Sequence, residues 1–157
     1  PVIIHGDGTS LWTITHNSDF AKAYTGLIGN IHAIGQAFHI TSDESVTWNQ
    51  IYSIIADELG VELNACHVPS DWLNAVGPYD FEGTLLGDKA CTVIFDNSKI
   101  KRAVPDFKAA VRADQGIRST VRYILEHKEC QTDDPDFDKW CDKIAETMEK
   151  AKADFLR

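Results

Sequence analysis

The chain has 157 residues, of which 43% are hydrophobic and 25% are charged, values typical of one soluble globular domain. Its 15 basic and 24 acidic residues give a net charge of −9, and a surface of that sign repels the phosphate backbone of nucleic acids. No apolar run reaches the roughly 18 residues of a membrane-spanning helix. We therefore expect neither a nucleic-acid-binding protein nor a membrane protein.

The amino terminus and the cysteines predict a cytoplasmic protein. The first residues lack the basic region and the apolar core of a secretory signal. The four cysteines have no C-x-x-C spacing, so reduced thiols are expected, with a bridge between Cys130 and Cys141 as the alternative. The abrupt start, in which strand-like residues follow Pro1 at once, predicts a piece of a longer protein.

The first thirty residues predict two strands and a helix. Val2 to His5 have the apolar pattern of a strand, and Gly6-Asp7-Gly8 has the composition of a tight turn. Leu11 to Thr15 alternate between apolar and polar residues, and we expect this second strand to pair back on the first. Asn17 or Ser18 then caps a helix. The apolar stripe of that helix consists of Phe20, Tyr24, Leu27 and Ile28.

The middle of the chain predicts short strands on either side of a well-specified helix. Thr47 and Gln50 have the spacing of a capping box, and Gly60 follows the last apolar position of the helix that they begin. We expect strands over Ala37 to Thr41 and over Val61 to Val68, because both segments are rich in apolar residues and bounded by turn signals.

The second half predicts a loop, a strand and two helices. Gly77 to Asp88 contains three glycines without a clear period, which predicts a loop, and Cys91 to Phe95 is strand-like. Apolar residues at helical spacing define one helix over Ile117 to Leu125. A last amphipathic helix begins at Asp134-Pro135, a cap followed by proline at the first helical position, and continues to Phe155.

Short strands that alternate with helices predict an α/β fold with α+β character. We expect one domain over residues 1–130, followed by a separate amphipathic helix over residues 131–157. The apolar stripe of that helix needs a covering surface, which either this domain or a second copy of the chain supplies. A homo-oligomer is therefore one expectation.

The residues alone predict no complete catalytic, cofactor or metal site. A dinucleotide-binding G-x-G-x-x-G turn is missing, because Gly26, Gly29 and Gly35 have the wrong spacing and lie at or beyond a helix end. No phosphate-binding loop, nucleophile elbow or set of three metal ligands at a recognised spacing is present.

One stretch has the composition of a ligand pocket. Thr9, Ser10, Trp12 and His16 bring hydroxyls, an aromatic ring and an imidazole close together next to the small residue Gly8. Pockets commonly combine an apolar wall with a few polar groups of this kind. Turn formation and packing are the alternative roles for the same residues.

Three segments, in this order, resemble the NAD-dependent epimerase/dehydratase family of extended short-chain dehydrogenases. They are HGDGTSLWTITHNSDFAKA, GQAFHITSDESVTWNQIYSIIADELG and GDKACTVIFDNSKIKRAVPDF, which together cover roughly residues 1 to 126. In that family the amino-terminal Rossmann portion carries the glycine-rich cofactor loop and a catalytic Tyr-x-x-x-Lys pair. This chain has no such pair, since the fourth residues after its tyrosines are Ile28, Ala56, Gly83 and His127.

The resemblance therefore implies the carboxyl-terminal, substrate-binding portion of an extended Rossmann-type enzyme. It implies an NAD(P)-dependent epimerase, dehydratase or reductase that is inactive without the missing amino-terminal Rossmann portion. NAD or NADP belongs to the full-length enzyme, and this chain alone is expected to bind no cofactor and to hold no catalytic residue. The implied partners are a small-molecule substrate and the missing Rossmann portion.

The resemblance also implies a substrate-binding surface. Thr9, Ser10 and His16 would form hydrogen bonds with the substrate. Trp12 and Leu86 would form its walls, and Asp88 would contribute from the later loop. Relatives that act on nucleotide sugars commonly place an arginine at the position of Trp12 and another shortly before the G-D segment, where this chain has neither. A sugar or another hydroxyl or carbonyl compound is therefore the expected substrate.

The alternative function is a stand-alone, non-catalytic module for ligand binding or protein interaction. Such a module would have a complete fold with its own ligand pocket and without an exposed apolar face. The piece of a longer enzyme would instead show unpaired strand edges and an apolar surface at the place where the Rossmann portion docks.

Overall fold

A computed structural model describes all of residues 1–157 and contains two small sheets and six α-helices. In chain order the elements are β1 (Val2–His5), β2 (Leu11–Trp12), α1 (Asn17–Leu27), β3 (Val46–Thr47), α2 (Trp48–Leu59), β4 (Ala65–Val68), α3 (Ser70–Val76), a π-helix (Glu82–Lys89), α4 (Ser98–Ala103), α5 (Ala113–Glu126) and α6 (Pro135–Phe155). Short 3₁₀-helices cover Ile31–Ala33 and Lys128–Cys130. None of the helices combines the length and the apolar character that a membrane span requires.

The two sheets have two strands each. β1 pairs with β4 in parallel, from Val2 opposite Ala65 to His5 opposite Val68. β2 pairs with β3 antiparallel, with Trp12 opposite Val46. The predicted hairpin of β1 with β2 is therefore wrong, and β2 ends at Trp12 rather than at Thr15.

The turn after β1 explains why the hairpin does not form. Gly6 and Gly8 have φ values of 60° and 71°, in the left-handed region that favours glycine. The Gly6 N–H donates to the carbonyl of Val68 at 2.8 Å, and the Asn49 N–H donates to the carbonyl of Gly8 at 3.0 Å. These bonds hold the turn against β4 and the start of α2. The chain therefore leaves β1 in a direction that places β2 away from β1.

The predicted helix ends are confirmed where a local motif specifies them. The capping box of α2 is complete, because Thr47 Oγ1 accepts from the Gln50 N–H at 3.1 Å and Gln50 Oε1 accepts from the Thr47 N–H at 2.8 Å. Gly60 ends α2 with a φ of 69°. Asp134 caps α6 by accepting from the Phe137 N–H at 3.0 Å. α1 is the exception, because its cap is His16 rather than Asn17 or Ser18.

Two predicted strands are wrong because no strand pairs with them. Residues 37–41 and 91–95 form no regular element, and the backbone groups of residues 38–40 and 92–95 make no hydrogen bond within the chain. The two segments lie side by side, since the rings of His39 and Phe95 are 5.1 Å apart. The strand predicted over residues 61–68 is shorter, and forms only as β4.

The segment predicted as a loop is mostly helical. Glu82 to Lys89 form a π-helix that contains Gly83 and Gly87, and Leu85 points into the core. The helix propensity of these residues is low, so the packing of Leu85 against Val68 and Leu73 stabilises the helix in place of propensity.

The core consists of three small clusters of buried side chains. The first joins α2 and α5 through Val46, Ile51, Ala113 and Ile117. The second joins β4, α3, the π-helix and α6 through Val68, Leu73, Leu85 and Ile144. The third joins α1 and α4 through Ala23, Ile100 and Phe107. The α6 stripe therefore packs on this chain itself at Ile144, and all four cysteines are free, Cys141 among them.

A buried carboxylate connects α1 to the segment before α5. Asp19 is fully buried, and its Oδ2 accepts from the N–H groups of Ala110 and Val111 at 3.0 and 2.8 Å. Burial is the largest influence on the pKa of Asp19 and raises it, but the hydrogen bonds from Lys22, Val111 and Ala110 together lower the pKa below its ordinary value. Asp19 therefore stays ionised in the folded chain.

We predict that Asp19→Asn lowers the free energy of unfolding by about 2 kcal/mol, because an amide makes weaker hydrogen bonds and leaves one donor unpaired. Urea denaturation at neutral pH measures the loss. Since the folded pKa is lowered, the contribution of Asp19 is complete above about pH 4 and is lost as the pH falls through the folded pKa. Asp133→Asn, at an exposed carboxylate outside the helices, is the control and should leave the stability unchanged.

Candidate functional site

Four side chains meet where β1, β2, α2 and the π-helix come together. The ring of Trp12 lies 5.5 Å from the ring of Trp48, which in turn lies 5.2 Å from the imidazole of His5. Lys89 Nζ lies over the ring of Trp12 at 5.6 Å, a cation–π contact. We call His5, Trp12, Trp48 and Lys89 the junction site.

Hydrogen bonds hold the end of the π-helix against β2. Ser10 Oγ donates to the carbonyl of Lys89 at 3.0 Å, and the Leu11 N–H donates to Thr92 Oγ1 at 3.0 Å. The β2–β3 pairing places Trp12 opposite Val46, two residues before Trp48. The site is therefore assembled from segments that lie about 40 and 80 residues apart in the sequence.

Asn49 holds the turn between β1 and β2, the two strands that carry His5 and Trp12 of the junction site. Its Nδ2 donates to the carbonyl of Asp7 at 2.9 Å, and its Oδ1 lies 2.8 Å from Nε2 of His67 in β4. A Cβ on Gly8 would collide with the Asn49 side chain, and Gly8 also has a positive φ. The turn therefore requires glycine at this position.

Two buried polar atoms at the junction site have no hydrogen-bond partner. They are His5 Nε2 and Trp48 Nε1. An unpaired buried polar group costs about 1–3 kcal/mol, so such groups usually face a water or a ligand. The indole N–H donates only, whereas a neutral imidazole nitrogen donates or accepts. Either atom would be satisfied by a water or by a hydroxyl oxygen.

His5 is held in its neutral form. Burial lowers its pKa from the ordinary value of 6.5, and the positive charge of Lys89 lowers it further. A neutral imidazole in this position can exchange hydrogen bonds with an uncharged ligand group without a charge penalty. No group of three or more His, Cys, Asp or Glu residues in the chain is arranged to hold a metal ion.

The structure brings some of the sequence-predicted residues to this site. Trp12 belongs to it, and Ser10 and Asp88 lie beside it: Ser10 Oγ donates to the carbonyl of Lys89, and Asp88 Oδ2 lies 3.2 Å from Lys89 Nζ. Leu86 lies half-buried in the π-helix, one turn earlier. Thr9 turns away, because its hydroxyl donates to Asp7 Oδ1 at 2.6 Å at the surface. A binding role for these residues stays a prediction.

His16 lies on a different surface. Its Nδ1 accepts from the Ser18 N–H at 3.3 Å and lies 2.8 Å from Ser18 Oγ, so the imidazole caps α1. It lies at the end of a groove of about 690 Å³ between α2 and α5. The six predicted residues therefore do not form one continuous pocket.

Sequence reasoning missed His5, Trp48 and Lys89. Trp48 is an apolar residue directly after the Thr47 cap and His5 is the last residue of a predicted strand, so neither is distinctive in the sequence. Lys89 directly follows the predicted Asp88, which is the one local signal that pointed to it. The proximity of His5 and Trp48 to Trp12 depends on strand register, which a single sequence does not give.

We predict that Lys89→Gln raises the pKa of His5, because it removes the nearby positive charge. NMR titration of the His5 ring measures the midpoint, and the exposed Lys108→Gln is the control that should leave it unchanged. Since the folded pKa of His5 is lowered, its neutral form stabilises the fold above about pH 6.5, and that stability is lost as the pH falls. An unchanged midpoint in Lys89→Gln would contradict the contact.

No family model and no curated protein matches the sequence. Solved structures do match the fold. UDP-glucuronic acid 4-epimerase from Bacillus cereus, in complex with NAD, has a TM-score of 0.61 at 18% identity over 84% of this chain and 36% of that chain. An epimerase from Methanothermobacter thermautotrophicus has a TM-score of 0.65 at 20% identity over 82% and 34%. dTDP-glucose 4,6-dehydratase from Bacillus anthracis, in complex with NAD, has a TM-score of 0.59 at 17% identity over 81% and 35%.

The chain spans about a third of the length of these solved structures. At this level of identity the likeness concerns the fold. The mixed α/β architecture with short strands corresponds to the carboxyl-terminal portion of extended Rossmann-type epimerases and dehydratases, as the resemblance of the sequence predicts. The chain therefore has the fold of the carboxyl-terminal third of an NAD-dependent sugar epimerase or dehydratase.

Proposed function

We propose that the chain is the substrate-binding portion of an NAD(P)-dependent epimerase, dehydratase or reductase, inactive without an amino-terminal Rossmann portion. The observation that carries the proposal is the fold match over 80–84% of this chain and about a third of the solved enzymes. The area of the chain supports it. A folded monomer of 17.5 kDa exposes about 7,900 Å², whereas this chain exposes 10509 Å².

The uncovered surface has the character of an interface. Large apolar side chains are exposed along α1 and the turns that follow it: Phe20, Tyr24, Ile28, Ile31 and Ile34. The unpaired backbone of residues 38–40 lies close to this patch in the sequence. The unpaired backbone of residues 92–95 lies beside residues 38–40 in space, where the rings of His39 and Phe95 meet. Parallel sheets such as β1–β4 normally lie buried within larger sheets. These features favour a piece of a larger enzyme over a stand-alone module.

The proposal gives the chain a binding role in the reaction. A bound nicotinamide supplies hydride exchange in enzymes of this kind, and solved neighbours hold NAD or NADPH. The chain itself would orient the substrate. Neutral His5 and the Trp48 N–H would hold a hydroxyl or carbonyl oxygen, Ser10 would hold the π-helix end in place, and Trp12 would form a wall.

The junction site favours a substrate with little negative charge. A diphosphate is best held by the forked donors of arginine, and no arginine belongs to this site. Its one cation, Lys89, already contacts Asp88 and the face of Trp12. We therefore propose a sugar or another hydroxyl or carbonyl compound. The free thiols are consistent with a cytoplasmic enzyme.

We predict that this chain alone shows no saturable NAD binding, and that the longer polypeptide from the same gene binds NAD and converts a sugar or carbonyl substrate. Calorimetric titration measures cofactor binding, and chromatography of the products measures turnover. Tight NAD binding by the chain alone would contradict the division of roles. A longer polypeptide without any NAD(P)-dependent turnover would contradict the function.

We predict that Trp12→Arg in the longer enzyme lowers the KM for nucleotide sugars by about tenfold relative to free sugars, because a charged hydrogen bond to phosphate contributes about 1.5–3 kcal/mol. Steady-state kinetics with both substrate classes measures the ratio. Ser53→Arg adds the same charge on the exposed side of α2 and should leave the ratio unchanged. An equal effect in both variants would mean that overall charge, rather than the junction site, attracts the phosphate.

A further inference from the structure

An open apolar groove runs between α2 and α5. Its volume is about 690 Å³, and no Asp, Glu, Lys or Arg lines it. Its walls consist of apolar side chains spaced one helical turn apart. They are Ile51, Ile55 and Leu59 on α2, and Ile117, Val121 and Leu125 on α5. A groove without charged groups does not suit a phosphate or another ionic ligand. It suits an apolar one.

The start of β1 lies near the groove. A second hollow of about 220 Å³ shares Ile55 and Leu59 with the groove and extends to Pro1 and Val2. Ile55 and Leu59 therefore separate the groove from a hollow that reaches the start of β1. A segment joined to β1 would lie at the mouth of this hollow, at a high effective concentration.

The shape of the groove suits a helix. Two helices whose apolar residues repeat every three or four positions leave a channel into which the ridge of a third helix packs. An amphipathic helix binds such a channel through residues at i, i+3, i+4 and i+7. The match covers only 34–36% of the solved structures of this fold, so a longer enzyme has ample sequence to supply one.

We propose that the α2/α5 groove holds an amphipathic helix from the part of the longer enzyme that leads directly into β1. This inference rests on the proposed function, because it requires an amino-terminal portion. It assigns the groove to the architecture of the enzyme rather than to its substrate. His16, at the end of the groove, would then contact this helix and would not contact the substrate.

Leu125 and Tyr123 provide a matched test. Each side chain is 54% exposed in this chain and both lie in the last turns of α5, but only Leu125 lines the groove. In the longer polypeptide Leu125→Glu should lower the thermal midpoint by about 5 °C or more, because it buries a charge under the docked helix. In this chain alone the same change should leave the midpoint unchanged. Tyr123→Glu removes only a stacking contact with His127 within this chain, so it should shift the midpoint equally in both.

Each other outcome overturns the inference. Equal midpoints for Leu125→Glu and the parent in the longer polypeptide would mean that no helix covers Leu125. An effect that depends on protein concentration would assign the groove to a second copy of the chain. A small apolar molecule found on the longer polypeptide by native mass spectrometry, and lost in Leu125→Glu, would make the groove a ligand site. NAD-dependent turnover of the longer polypeptide is measured separately. Its absence would contradict the proposed function, whereas the midpoints of the variants test only the occupant of the groove.

Discussion

The arrangement of this fold depends on the hydrogen bonds of Asn49. Its backbone N–H and its side chain bind the turn after β1, while its side-chain oxygen meets His67 on β4. Asn49 therefore joins the parallel sheet to the start of α2, and α2 in turn carries Trp48 into the junction site. Each bond contributes only about 1 kcal/mol, but together they determine the direction in which the chain leaves β1. Without that direction Trp12 would not meet Trp48 and Lys89.

The sequence predicted those features that depend on neighbouring residues. The capping box of Thr47 and Gln50, the end of α2 at Gly60 and the start of α6 at Asp134-Pro135 involve contacts within one turn of the chain. The partner of β2 was predicted wrongly because strand pairing is a non-local choice, and β1 was the nearest strand in the sequence. The same limit applies to the site. Ser10 and Trp12 were recognisable from local composition, whereas His5, Trp48 and Lys89 join them only through register and helix packing.

The failed strand predictions have a physical meaning of their own. Residues 37–41 have a strand pattern, with Phe38 and Ile40 packed on the core cluster around Ile100 and His39 facing outward. The pattern is that of a strand, but no partner strand supplies its hydrogen bonds. An uncovered edge beside exposed apolar residues promotes aggregation, which natural proteins avoid. The excess area of about 2,600 Å² on this chain corresponds to an interface of about 5,200 Å² over both partners, at the upper end of the range of obligate interfaces. The large covering partner that we propose would account for both features.

The junction site is incomplete in a different way. An apolar surface is satisfied by any well-packed protein segment, whereas the unpaired atoms of His5 and Trp48 need polar groups at particular positions. A site that holds a hydroxyl in this way rejects an analogue without it, since the buried polar atoms then stay unpaired. Charge gives less discrimination here, because Lys89 is already paired with Asp88 and lies over the ring of Trp12. If the proposed function holds, the specificity of the junction site depends on where the hydroxyl and carbonyl oxygens of the substrate lie.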